Sequence, residues 1–176
     1  MKYREALEQA LEELEQILGE EIVKQRVREV KGLEYSDGEL EIEGDEEKSF
    51  FRFLADIRMF SGNNEVYVIA RNLEENSFKD IAEKTRYWVL MQEILDREEN
   101  LLGKEEALEQ VGKVEGLQRE GSILVKCSGE CHEMMSDLID SFKEKQGEVA
   151  PFLISQRLSN IMTSDIEPPE ELAGKI

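Results

Sequence analysis

Gly121-Ser-Ile-Leu-Val-Lys-Cys-Ser-Gly-Glu-Cys-His132, continuing as Glu133-Met-Met-Ser-Asp-Leu-Ile-Asp-Ser-Phe142, takes the chain from strand to helix within a few residues. Ile123, Leu124 and Val125 form a short branched aliphatic run with strand character. Ser128-Gly129 is turn chemistry, and Ser128 is placed to accept hydrogen bonds from the N–H groups opening a helix. Met134, Met135, Leu138, Ile139 and Phe142 then recur at helical spacing. Both cysteines and the single histidine gather at this turn.

Outward from it, strands and helices mix. Residues 2–18 carry Tyr3, Leu7, Ala10, Leu14 and Ile17 on one face and mostly glutamate on the other, the pattern of an amphipathic helix. Beyond Gly19, Ile22, Val23, Val27 and Val30 continue an apolar face, and Lys24, Arg26, Arg28 and Lys31 form a small basic island. Leu33 to Glu43 reads as a β-hairpin with its turn at Asp37-Gly38. Asp45 suits the N-cap of an aromatic core helix holding Phe50, Phe51, Phe53, Leu54 and Ile57.

Glu65-Val-Tyr-Val-Ile-Ala70 reads as a strand, and Ser77 as the cap of a long helix from Phe78 to about Leu102. A short helix over Lys104–Val111 and a strand over Val114–Leu117 lead back to the opening stretch. Pro151 suits the first turn of a final helix containing Phe152, Leu153, Ile154, Leu158, Ile161 and Met162. Pro168-Pro169 stops regular structure. Fragments 65–95 and 122–142 share a strand–turn–helix order, but their turns do not match, which points away from an internal repeat.

The expected architecture is therefore α+β: a small, mostly antiparallel sheet covered by long helices, with an amphipathic N-terminal helix. Residues 1–31 form that helical segment, packed on the domain or on a partner. Residues 32–166 form the core domain, and 167–176 a loose tail.

The net charge of −19 comes from 41 acidic and 22 basic residues. Such a field repels nucleic-acid phosphates and anionic membrane, so general binding to either is not expected. No apolar run reaches the roughly 18 residues a membrane span needs. The acidic, amphipathic N-terminus is unlike a secretory signal, and two cysteines make no secreted disulfide framework, so a cytoplasmic location is expected. No cofactor is implied.

Chemistry concentrates at Cys127, Cys131 and His132. A helix N-terminus at Cys131 would favour a thiolate, giving a thiol enzyme or a redox or metal sensor as one reading. Each version is incomplete. Three intervening residues are one too many for the usual redox pair. A structural zinc site needs four ligands, so a carboxylate would have to join these three residues. One histidine is too few for base and orienter together, so no catalytic set is complete.

The reading that uses more of the chain is a non-catalytic acidic interaction module, self-associating as a possible homodimer or a subunit of a larger complex. Leu7, Leu14 and Ile17 would supply an apolar seam and Glu39, Glu41 and Glu43 an acidic strand face. A DNA-mimic or basic-protein-binding factor is a further alternative built on the same acids.

Overall fold

Side chains three and four apart decide helix α1 (Lys2–Leu18), which buries Ala6, Leu7, Ala10, Leu11 and Leu14. A computed structural model of the chain describes residues 2–36, 39–164 and 166–175. Among them are eight α-helices and four strands, and the strands form two separate antiparallel pairs. The α+β class, the antiparallel pairing and the amphipathic N-terminal helix are as the sequence implies. Each strand pair is a hairpin of its own.

The chain divides into two compact units, Met1–Arg86 and Tyr87–Ile176. In the first, Gly19 at φ 90° ends α1 and opens α2 (Glu20–Glu29). The hairpin β1 (Leu33–Ser36) and β2 (Glu39–Ile42) follows, with Leu33 opposite Ile42 and Tyr35 opposite Leu40. Its expected turn at Asp37-Gly38 lies outside the described residues. Asp45 then caps α3 (Glu46–Ser61), its carboxylate accepting from the Glu47 and Lys48 N–H groups at 3.0 and 3.2 Å. This satisfies two of the four N–H groups a helix start leaves without partners. Gly62 at φ 106° separates α3 from α4 (Asn63–Glu75). Helix α1 packs on α2, α3 and α4. The aromatic centre is Tyr3, Phe50 and Phe51, with Phe50 and Phe51 edge-to-face at 5.4 Å.

Helix α5 (Lys79–Leu102) runs across the division, and the second unit uses its later turns. Gly103 at φ 89° leads to α6 (Lys104–Val111), then to the hairpin β3 (Leu117–Glu120) and β4 (Ile123–Cys127). Helix α7 (Cys131–Gln146), Gly147 and α8 (Val149–Leu158) complete the order, followed by a 3-10 turn over Glu170–Leu172. The core here gathers Trp88, Leu90, Met91, Leu124, Met135, Leu138, Ile139, Phe142 and Ile154, all fully buried.

The two units are therefore built alike: helix, glycine, helix, hairpin, helix, glycine, helix. Selected residues recur at matching positions. Leu18-Gly19 corresponds to Leu102-Gly103, and Val27-x-x-Val30-x-Gly32-Leu33 to Val111-x-x-Val114-x-Gly116-Leu117. Tyr3, Leu11 and Leu40 recur as Tyr87, Leu95 and Leu124. Backbone bonds repeat with the residues. Gly19 N–H donates to the Glu15 carbonyl and Gly103 N–H to that of Glu99, both at 3.0 Å. Glu43 N–H donates to the Gly32 carbonyl at 2.9 Å, and Ser128 N–H to that of Gly116 at 2.8 Å. A register shift in the second hairpin leaves Val125 as one extra residue. Beyond it Asp45 corresponds to Glu130 and Gly62 to Gly147. This tandem duplication overturns the expectation that the chain has no repeat.

Several local expectations are also corrected. Glu65–Ala70 is helix, within α4, because Val66, Ile69, Ala70 and Leu73 present one buried face at helical spacing. That burial overrides the strand preference of its β-branched residues. Ser77 stands at φ 74° outside α5, and Ser128 lies outside α7, whose N-cap position is held by Glu130 without a side-chain bond. The strand expected at 114–117 begins at Leu117, and the last α-helix ends at Leu158. Within 167–176, Leu172 is fully buried, and the turn carrying it packs on α7 and α8.

Candidate functional site: an acidic groove beside the first hairpin

In the first unit, α1 and the β1–β2 hairpin leave a groove of about 370 Å³ between them. It is lined by Arg4, Glu8, Leu11, Glu12, Glu15, Tyr35, Glu39 and Leu40. Helical spacing puts Arg4, Glu8, Leu11, Glu12 and Glu15 on one side of α1. Period-two alternation turns Leu40 inward, while Glu39, Glu41 and Glu43 stay exposed. Leu11 and Leu40, both buried, make an apolar floor under a rim of carboxylates.

The charges are arranged unevenly. Arg4 Nε donates to Glu8 Oε1 at 3.2 Å, and Arg4 Nη2 donates to the Leu40 carbonyl at 2.9 Å, tying helix to strand. Among the described residues, Glu12, Glu15 and Glu39 have no ion pair. The Oε1 atom of Glu15 is buried without a hydrogen-bond partner. Burial pushes the Tyr35 phenol above its ordinary range, reinforced by the nearby charge of Glu15, while Lys24 opposes the shift. Lys24 stands 6.0 Å over the Tyr35 ring.

The expected seam of Leu7, Leu14 and Ile17 is divided. Leu7 and Leu14 are fully buried in the core, and Ile17 is 47% exposed. Met59 and Phe60, at the end of α3, are also exposed, with Arg26 stacked 5.0 Å from the Phe60 ring. Arg26, from the basic island, also lies 3.6 Å from Asp56, and Lys24 pairs with Glu20. Half of that island is thus spent on neighbouring acids.

Cys127 and Cys131 are both buried and not joined in a disulfide. Cys127 closes β4 opposite Leu117, the place Ile42 takes opposite Leu33 in the first unit. It fills an apolar position. Cys131 opens α7, and His132 beside it is partly buried. Among the described residues, no group of three or more His, Cys, Asp or Glu is placed to hold a metal ion.

A buried carboxylate that sequence reading missed lies in the second unit. Glu98 is fully buried, accepts from Gln146 Nε2, and has Arg97 Nη1 at 3.7 Å. Its Oε1 accepts no hydrogen bond. Burial pushes its carboxyl above the ordinary glutamate range, with Gln146 and Arg97 opposing. The corresponding residue in the first unit is Leu14. A raised carboxyl favours folding in acid, and that contribution is lost as pH rises through the folded-state value. Glu98→Leu is therefore expected to stabilise the protein at pH 7 by about 1–2 kcal/mol. The gain should shrink towards pH 4 in urea titrations, and a variant less stable than the parent at pH 7 would refute the account.

No protein-family model matches the chain, and no significant match occurs among curated proteins or solved structures. Among the described residues, no helix is long and apolar enough to cross a membrane.

Proposed function

We propose that the chain is a non-catalytic protein-interaction module whose working surface is the acidic face of the first unit. One observation carries this reading. The groove between α1 and the hairpin is open and holds Glu12, Glu15 and Glu39 outside any ion pair, next to the exposed Glu41 and Glu43. Unneutralised carboxylates over an apolar floor suit a basic segment of a partner protein. Such a segment gains charge-assisted hydrogen bonds and buries its methylene stems on the leucines. A net charge of −19 adds long-range attraction for the same partners and speeds their encounter.

The test is co-purification across a salt series, comparing the parent with the Glu39→Lys/Glu41→Lys/Glu43→Lys variant. A stoichiometric basic partner should be retained by the parent, released as salt rises and absent from the variant. Partners retained equally by both would refute the assignment of this face.

A further inference from the structure

We infer that the first-unit groove is a receptor for a lysine- or arginine-bearing peptide segment, and that the second unit carries the same groove closed by its own side chains. The inference rests on the interaction reading above and gives it a ligand class and a place.

The internal duplication supplies the comparison. Arg4 in the first unit corresponds to Trp88 in the second, Glu8 to Gln92, Glu12 to Asp96, Glu15 to Glu99, Leu40 to Leu124 and Glu39 to Ile123. Both copies bridge helix and hairpin at the same acceptor. Arg4 Nη2 donates to the Leu40 carbonyl at 2.9 Å, and Trp88 Nε1 donates to the Leu124 carbonyl at 2.7 Å.

What differs is the filling. Trp88 is fully buried, so its indole takes up the space beside the bridge. Gln92, almost fully buried, accepts from Leu124 N–H at 3.0 Å and donates to the Ser122 carbonyl at 2.8 Å. It also donates to Asp96 at 2.8 Å, using one of the acids corresponding to the groove rim. The second copy is packed and hydrogen-bonded shut.

In the first copy the same positions are charged and partly exposed. Arg4 and Glu8 pair with each other at the mouth, with side chains 49% and 46% exposed. Exposed Glu39 replaces the apolar Ile123, and the groove stays open. The Glu15 carboxylate does not separate the copies, since Glu99 also buries an unbonded Oε1. The separation lies in Arg4, Glu8, Tyr35 and Glu39, whose counterparts are Trp88, Gln92, Arg119 and Ile123. In the second copy the bulky neutral pair Trp88 and Gln92 is buried at these positions, whereas the first copy keeps a groove with room for a side chain entering from outside. Glu12, Glu15 and Glu39 require that side chain to be cationic, and Leu11, Leu40 and the Tyr35 edge require an aliphatic stem. Lysine and arginine in a peptide meet both conditions.

The test uses a fluorescein-labelled hexalysine peptide with the full-length protein at about 0.15 M salt, where weak surface attraction is screened. Three variants are compared by anisotropy. Arg4→Trp/Glu8→Gln transplants the closing pair, Glu12→Gln/Glu39→Gln neutralises two exposed rim acids, and Glu105→Gln/Glu109→Gln removes the same charge from exposed sites on the second unit. Both groove variants should weaken binding by about tenfold or more, at unchanged helical circular dichroism, while the distant control stays within about twofold.

Equal weakening by the rim and control pairs would reduce the effect to overall charge and overturn the inference. So would undiminished binding by the transplant. In either case the broader interaction reading would still stand on the salt-dependent co-purification. Conversely, groove-specific peptide binding without a co-purifying partner would uphold the receptor site and count against that broader reading. Full competition by spermidine at matched charge would reassign the groove to a small polyamine.

Discussion

Trp88→Ala is expected to lower stability by about 3–5 kcal/mol, the usual cost of truncating a fully buried aromatic side chain. Its indole is fully enclosed, and its N–H holds the Leu124 carbonyl at 2.7 Å. Truncation removes packing area and the helix-to-hairpin tie together. A second variant separates the two terms. Trp88→Phe keeps most of the apolar volume and loses the donor, so it should cost about 1–3 kcal/mol. Because a domain of this size has about 5–15 kcal/mol of net stability, the alanine variant should leave the second unit marginal. Urea unfolding followed by circular dichroism would read the difference. An alanine variant within about 1 kcal/mol of the parent would show that the indole is not the brace described.

Gly116→Ala is the second large effect. At φ 87° the residue is in left-handed backbone, which costs an L side chain about 1–2 kcal/mol. A Cβ there would also lie 2.4 Å from the Ser128 carbonyl oxygen, far inside contact distance, with Met134 Sδ at 3.2 Å. Ser128 N–H is bonded to the Gly116 carbonyl, so the obstacle is backbone held in place. Strain and overpacking together predict a loss of about 2–5 kcal/mol. The duplication grades the comparison. Gly32, the corresponding residue, would place its Cβ 3.0 Å from the Glu43 carbonyl, whereas Gly19 would meet nothing within 4 Å. The loss should fall in the order Gly116→Ala, Gly32→Ala, Gly19→Ala. Equal losses at all three would leave only the backbone term and refute the steric one.

Much of this architecture is legible from side-chain spacing. Residues 2–18 advertise their helix because Leu7, Leu11 and Leu14 fall on one face with glutamates opposite, and Asp45 announces α3 through its capping carboxylate. Glu65–Ala70 misleads because Val66, Val68 and Ile69 have strand preference, while the buried face that makes them helical is completed only at Leu73. Reading a strand there hides the repeat, since it supplies a false counterpart for β4. The true signal is nonetheless present as Val-x-x-Val-x-Gly-Leu, ending at Leu33 and again at Leu117. The candidate groove is half legible. Glu39, Glu41 and Glu43 stand out as a strand face, but the contribution of Glu12, Glu15 and Tyr35 depends on α1 lying beside the hairpin, which no local pattern encodes. Leu7 and Leu14 read equally well as seam or as core, and tertiary packing assigns them to the core.

Two copies of one unit in a single polypeptide carry a hazard during folding, because an edge strand from one copy can pair with the complementary strand of the other. Chain proximity acts against that error, because each strand's own partner begins three positions on, Glu39 after Ser36 and Ile123 after Glu120, and closing so short a connection costs less entropy than pairing a whole unit away. The first hairpin runs unshifted from Leu33 opposite Ile42 to Ser36 opposite Glu39, whereas β4 carries Val125 as an unmatched residue. Because the extra residue sits in β4 and not in β3, β1 would meet the same bulge that β3 meets, so the bulge does not tell the two strands apart. Adjacency along the chain thus gives each hairpin its own address and keeps the two copies from trading strands as they form.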